Sequence, residues 1–214
     1  MPEILGRSIH FPDPVLAADA RGMVAAGGDL SPERLLAAYR RGIFPWSVKP
    51  VTWWSPDPRG IFELDQFHVS RNLARVMARG SFSVTRNQAF AEVIKHCAAP
   101  APNRPGHWIT PEFIAAYTQL HRLGHAHSVE CWQNGELAGG IYGVATGGLF
   151  AGESMFHHVS NASKVALCHL AHHLRDQGFL LFDIQMVTSA TRPMGAVEIS
   201  RLEYLQRLAV ALTR

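Results

Sequence analysis

Apolar residues recur at helical spacing in five windows of the chain and crowd into short runs between them. Ser31-Pro32-Glu33 opens the first of these helices, with serine suited to the N-cap, proline to the first helical position and glutamate to the first turn. Leu35, Leu36 and Tyr39 give it one face and Gly42 stops it. Residues 42–59 show neither period and read as an irregular, aromatic and proline-rich stretch. Ser70 caps a second helix that ends at Gly80, with Leu73, Val76 and Met77 on its apolar side. Thr110-Pro111-Glu112 opens a third, with Phe113, Ile114, Tyr117 and Leu120 inward and Gly124 as its stop. Ser128 to Trp132 reads as a strand. Gln133-Asn134-Gly135-Glu136 follows as a hairpin turn, because Asn-Gly supplies the positive φ angles a tight turn needs. Leu137 to Phe156 continues as strands interrupted by glycines, and Asn161 to Gln177 is helical up to Gly178. Phe179 to Val187 is an apolar strand expected near the centre of a sheet, and a last helix runs from about Ser200. Strands and helices in this order predict a mixed α/β or α+β fold. The Pro-, Gly- and Trp-rich beginning sets a boundary near residue 62, between a small N-terminal domain (1–62) and a larger one (63–214).

Composition narrows the class. Of 214 residues 47% are apolar and 17% charged, so the chain can bury a core and is not a charge-solvated, disordered protein. It begins Met-Pro-Glu and has no apolar run approaching a membrane span, so a cytoplasmic protein without a membrane partner is expected. Lys plus Arg number 20 and Asp plus Glu 17, a net charge of +3 that permits a nucleic-acid partner without demanding one. Cys97, Cys131 and Cys168 form no CxxC pair and read as reduced packing residues.

Several groups could carry chemistry. Arg71, Arg75 and Arg79 are four apart on the helix after Ser70, so they share one face. Nothing acidic within the helix offsets them. The stripe is either a solvated face or a contact for phosphates. Asp183 and Gln185 share one side of the strand from Phe179 to Val187 by period two, with Phe182, Ile184 and Met186 on the other. Polar groups there must be hydrogen-bonded or cost several kcal/mol (roughly 2–7), in a structural network or in a site. Glu153, within Phe150-Ala151-Gly152-Glu153-Ser154, poses the same choice, and Gly152 would allow close approach to the backbone. Trp46, Trp53 and Trp54 fit a satellite core or the wall of a pocket. His169, His172 and His173 have the spacing of metal ligands, but no acidic or thiol partner completes a set and no metal is expected. Walker, dinucleotide and nucleophile-elbow motifs are absent from the sequence.

Six runs of this chain closely resemble a known family, the bacterial leucyl/phenylalanyl-tRNA–protein transferases. They are GGDLSPERLLAAYRRGIFPW (27–46), WWSPDPR (53–59), AAYTQLHRLGHAHSVE (115–130), FAGESMF (150–156), NASK (161–164) and FDIQ (182–185). The resemblance implies a small N-terminal domain followed by one similar to GNAT acetyltransferases. It implies transfer of Leu, Phe or Met from aminoacyl-tRNA to the N-terminal amine of proteins that begin with Arg or Lys, which marks them for degradation. No cofactor is implied, and a monomer is expected. The family's relay carboxylate falls on Asp183, its catalytic amide on Gln185 and its active-site glutamate on Glu153. The pocket for the aminoacyl side chain and terminal adenosine falls on Trp46, Trp108, Ile141, Phe150, Gly152, Leu170, Leu174 and Phe182. The helix that grips the acceptor stem falls on Arg71 and Arg75, with Arg79 adjacent and Ala78 in place of one further basic residue.

An aminoacyl ester is already activated, so aminolysis asks only for alignment and one proton transfer. On this reading Gln185 accepts a hydrogen bond from the amine, Asp183 fixes the orientation of the Gln185 amide, and Glu153 holds the amine or the acceptor's basic side chain. Two departures stand out. Ala151 replaces the usual cysteine, so no thiol at that position can be essential. The family's usual His-Thr-Ala-Ser-Leu-Gly-Ala is replaced by Ala190-Thr191-Arg192-Pro193-Met194-Gly195-Ala196, with Arg192 expected to add positive charge where the acceptor enters. The alternatives are a divergent member with an altered acceptor, a CoA-dependent GNAT acetyltransferase, and a module that holds tRNA without chemistry.

Overall fold

The computed structural model describes residues 2–100 and 108–214. Two sheets organise it, a mixed α+β arrangement as expected. The small sheet has the order β1-β2-β4-β3, from β1 (Glu3–Leu5), β2 (Met23–Gly27), β3 (Phe44–Val48) and β4 (Val51–Trp54). Residues 42–54 are therefore mostly strand and not irregular. Each strand there has only four or five residues, and register shifts interrupt the pairing, so no alternation develops in the sequence. A one-turn helix α1 (Pro14–Ala17) and the helix α2 (Pro32–Tyr39) flank this sheet. Ser31 sits at the N-cap of α2 without a side-chain cap bond, and Asp29 accepts the Ser31 N–H instead. Arg34 of α2 is fully buried and donates to the carbonyls of Gly6 and Ser8, which pins the N-terminal segment to the helix.

The large sheet has seven strands in the order β11-β5-β10-β9-β8-β7-β6. They are β5 (Arg59–Phe62), β6 (Ser83–Arg86), β7 (Ala126–Gln133), β8 (Glu136–Thr146), β9 (Leu149–His157), β10 (Leu181–Gln185) and β11 (Ala196–Ile199). The strand β5 lies between β10 and β11, so the chain passes from the small sheet to the large one at residues 55–58, just before the expected boundary. Strands β6 to β9 form an antiparallel meander. Its β7–β8 turn is built on Asn134 and Gly135 at φ 53° and 81°. The helix α6 (Ala162–Asp176) crosses from β9 to β10, which pair in parallel. The expected strand at Phe179 to Val187 is shorter than its apolar run, because Gln185 turns to φ 57° and ends it.

Alternation along the long strands divides the core in two. Ile141, Phe150 and Phe182 pack against α6 and against Leu73 of α3 (Arg71–Ala78). Tyr142, Val144 and Ala151 face the other way. There they meet α4 (Phe90–Ala98), α5 (Pro111–Arg122) and the small sheet, in a layer centred on Trp53, whose indole N–H donates to the Gly27 carbonyl at 2.9 Å. The last helix, α7 (Arg201–Ala211), covers Ile61, Leu149 and Leu181 with Tyr204 and Leu208. All three cysteines are buried, and burial pushes the Cys131 thiol up to about 11 and Cys168 up to about 12. No helix among the described residues is long and apolar enough to cross a membrane.

Strands β5 and β10 approach closely at Gly60. A Cβ added there would stand 2.7 Å from the Met186 carbonyl carbon and 2.8 Å from the Val187 nitrogen. These are backbone atoms of the segment that follows β10, so β5 and that segment would have to part. Gly60→Ala is expected to cost about 1–3 kcal/mol, the usual range for overpacking. Chemical denaturation would read this as a lower midpoint at unchanged m value.

Candidate active site

The carboxylate of Asp183 lies in the middle of β10 with no solvent exposure, so it needs partners. Arg59, the first residue of β5, supplies them with a two-pronged contact: Nε donates to Oδ1 at 2.8 Å and Nη2 to Oδ2 at 2.6 Å. Arg59 is itself 1% exposed and its remaining nitrogen donates to the Gly42 carbonyl at 2.9 Å. The Tyr204 hydroxyl donates to Asp183 Oδ2 at 2.9 Å, and the Arg59 guanidinium lies over the Tyr204 ring at 4.2 Å. The Asp183 charge raises the Arg59 pKa, although burial works against it.

Two bulges then depart from the regular pleat on neighbouring strands. Across β5 and β10, Asp183 pairs with Ile61 and Gln185 with Gly60, so Ile184 is the extra residue. Across β8 and β9, Tyr142 pairs with Ser154 and Gly143 with Gly152, so Glu153 is the extra residue. A left-handed backbone at a glutamine is uncommon, and here it is held. The Gln185 N–H donates to Asp183 Oδ1 at 2.9 Å, the same oxygen that takes Arg59 Nε. Asp183 thus orients Gln185 through the main chain, not through the side-chain amide as the sequence suggested. The hydrogen-bond network places the amide nitrogen of Gln185 toward the carbonyls of Gly152 and Ile184, each 3.0 Å away. Its oxygen then faces Glu153 Oε1 at 3.4 Å.

Two oxygens facing each other need a proton between them, and Glu153 can supply it. Burial pushes its carboxyl up to about 8, against the opposing pull of hydrogen bonds from the tyrosines. Tyr39, at the end of α2, donates to Glu153 Oε1 at 2.8 Å. Tyr117 of α5 lies 2.5 Å from the Tyr39 hydroxyl and 3.5 Å from Glu153 Oε2. Burial, with the Glu153 charge second, holds both tyrosines well above the ordinary range. The arrangement is a carboxyl that burial favours in its neutral form, an amide and two phenols, set beside a buried ion pair. It can accept a hydrogen bond from an amine at Gln185, and it can become anionic when a cation arrives.

The other expected residues separate into three places. Ile141, Phe150, Leu170, Leu174 and Phe182 are at most 5% exposed and pack together under α6, on the opposite side of the sheet from Tyr142 and Ala151. Gly152 lies against the same set, because a Cβ there would meet the Phe182 ring at 3.2 Å. Trp46 and Trp108 are partly buried in the other layer, against Trp54 and Phe113 respectively. Arg71, Arg75 and Arg79 all lie exposed along α3, whose N-cap Ser70 accepts the Leu73 N–H, and none takes part in an ion pair among the described residues. Arg192 sits 3.9 Å from Glu198 of β11, so the charge expected to repel an acceptor is partly answered by a carboxylate.

Four residues of this constellation carried no functional expectation. Arg59 lies in the WWSPDPR run, and its signal is a cation opening a strand that continues as Gly60-Ile61-Phe62 and is wholly buried. Tyr39 and Tyr117 read as apolar positions of helices, and Tyr204 lies in the last helix with nothing that singles it out. Helical period gives their faces but not the meeting of hydroxyls 78 residues apart in sequence.

Comparison with known proteins gives these residues a context. The family described as leucyl/phenylalanyl-tRNA protein transferase matches residues 61–209, and its N-terminal domain matches residues 28–57. The chain belongs to this family. The leucyl/phenylalanyl-tRNA–protein transferase of Pseudomonas putida is 53% identical over 193 residues, covering 89% of this chain and 85% of that protein. That of an Anaeromyxobacter species is 51% identical over 213 residues, covering 98% and 90%. Among solved structures, L-PGS from Bacillus licheniformis overlays 78% of this chain and 55% of that one, at 11% identity and a TM-score of 0.44. The chain is thus an enzyme of the leucyl/phenylalanyl-tRNA–protein transferase family.

A raised carboxyl pKa has a consequence for stability. Between the ordinary glutamate value near 4.5 and about 8, the folded chain holds a proton at Glu153 that the unfolded chain releases. Its contribution to stability therefore falls as pH rises through that window. Glu153→Gln, which keeps the acceptor oxygen for Tyr39, is expected to remove the loss. Thermal melts at pH 5.5 and 8.5 should show the wild-type Tm falling further than the variant's by about 3 °C or more.

Proposed function

We propose that the chain transfers Leu, Phe or Met from aminoacyl-tRNA to the N-terminal amine of proteins beginning with Arg or Lys, making a degradation signal read by the bacterial N-degron machinery. The reading places it in the cytoplasm, where charged tRNA is found. The observation that carries it is Gln185, held at a left-handed bulge by Asp183 and facing Glu153, whose buried carboxyl favours the neutral form. An N-terminal amine has a pKa of about 7.7–8.0, so a useful fraction is neutral near pH 7. The Gln185 oxygen accepts one N–H and turns the nitrogen lone pair toward the ester carbonyl. The new C–N bond forms as the bond to the terminal ribose oxygen breaks. The proton lost from nitrogen ends on that oxygen, carried by the adjacent ribose hydroxyl or a water. Glu153 gives up its own proton to solvent water when a cationic Arg or Lys side chain enters, and its carboxylate then pairs with that side chain. Trp46 and Trp108 offer aromatic surface to the donor's side chain and adenine, and the α3 arginines take the acceptor-stem phosphates.

Purified protein should move labelled Leu or Phe from preformed aminoacyl-tRNA to an Arg-started peptide in EDTA without ATP or CoA, and move less to an Ala-started one. Failure to transfer, or a strict need for any of those additions, overturns the reading. Acetyl-CoA should not raise the melting temperature, since His157 to Lys164 contains no glycine for a pyrophosphate loop.

Gln185→Ala is expected to lower kcat by about 10²-fold or more, the scale of lost positioning. Combining it with Asp183→Asn should cost little beyond the worse single variant, because the two act as one unit. Arg71→Ala with Arg75→Ala should instead raise KM for full-length tRNA and reduce its log–log salt slope by about one for each phosphate left without its arginine. Single-turnover and steady-state kinetics distinguish the two patterns.

A further inference from the structure

A second surface with an exposed cation lies at the open edge of the large sheet. There β6 ends in Arg86 and borders a cleft of about 520 Å³, lined by Val84, Thr85, Arg86, Gln88 and His169. Arg86 is exposed and takes part in no ion pair among the described residues; its guanidinium donates to His173 Nδ1. His169 is exposed on the same face of α6, with His172 and His173 beside it. Burial first, then the charges of His172 and Arg86, hold the His169 pKa below the ordinary histidine value. Burial and Arg86 do the same to His173, with Asp176 opposing them. His127 of β7 adds another ring that feels His173. The nearby carboxylate, Glu130, is buried and occupied: it accepts from Ser128, from Thr85 at 2.6 Å and from the N–H groups of Gln88 and Ala89. The wall thus presents one exposed cation outside any ion pair among the described residues, Arg86, beside imidazoles that burial and its charge hold toward the neutral form, and an arriving anion would pair with Arg86 and favour protonation of those rings.

We propose that this β6–α6 cleft is a second phosphate-binding site for the tRNA donor, separate from the arginine stripe, with Arg86 and His169 contacting the RNA backbone. The position favours RNA over a small anion. Helix α3 leads through only four residues into β6 and also packs on α6, so the stripe and the cleft flank one helix. A polyanion many phosphates long can touch both. Two contact surfaces also fix the orientation of the RNA, which one stripe cannot.

The inference rests on the donor being tRNA, and the test separates the two claims. Binding of deacylated leucine tRNA to the full-length protein is titrated across salt for wild type, Arg86→Gln, His169→Gln and Arg86→Lys, with Tm as the check on folding. Arg86→Gln is expected to weaken binding about fivefold or more at low salt and to reduce the log–log slope by about one, with His169→Gln smaller. Arg86→Lys should recover most of the affinity, since a phosphate reads charge and the short contact to His173 is not required. Transfer assays should show a larger rise in KM for full tRNA than for aminoacyl-adenosine. Wild-type tRNA binding with unchanged affinity in folded Arg86→Gln overturns the cleft and leaves the transferase reading standing. No tRNA binding by the wild type overturns both. A rise in KM for the acceptor peptide without a change in tRNA affinity would mean that the open edge receives a polypeptide, and would also overturn the inference.

Discussion

The contact between Arg59 and Asp183 ties four parts of this protein together. It bridges two adjacent strands of the large sheet, reaches the turn after α2 through the Gly42 carbonyl, and receives the hydroxyl of Tyr204 from α7. A buried pair of this kind gives little net stability, because the desolvation of both charges offsets their attraction. Removing one partner is different: the charge left behind typically costs about 3–5 kcal/mol. The pair is therefore better understood as a constraint than as a source of stability. It tolerates only one register of β5 against β10, and that register sets where Gln185 stands.

The rest of the site follows from that register. With Asp183 fixed by Arg59, its Oδ1 is also in place to hold the Gln185 N–H, and an uncommon left-handed conformation becomes the resting one. On the next strand the bulge at Glu153 turns a carboxyl toward Tyr39 and Tyr117. These tyrosines come from α2 and α5, so the small N-terminal region and the large sheet both contribute to one hydrogen-bonded group. Buried polar groups in such numbers would be costly singly, and they persist because nearly every lone pair and proton has a partner. On the proposed function, this group serves a reaction that needs alignment more than activation, and the exposed arginines of α3 meet the polyanion.

Much of this was present in the sequence. Local rules gave the helix starts at Ser31, Ser70, Thr110 and Ser200, the Asn134-Gly135 turn and the mixed α+β class, because caps, tight turns and periodicity act within a few residues. The same rules missed the strands of residues 42–54, where proline and bulges break the period before it can repeat. They also placed Asp183 and Gln185 on a regular strand, whereas the structure inserts Ile184 as an extra residue between them. Motif runs resembling the transferases singled out Asp183, Gln185 and Glu153, since those residue types sit against the apolar grain of their strands. Only the tertiary structure could name Arg59, Tyr39, Tyr117 and Tyr204, which come from four separate elements and meet at atoms that no period links. Their partnership depends on distances of a few ångströms between segments as much as 145 residues apart in sequence. A burial pattern says that a polar group needs a partner, but only the packed chain decides which partner it has.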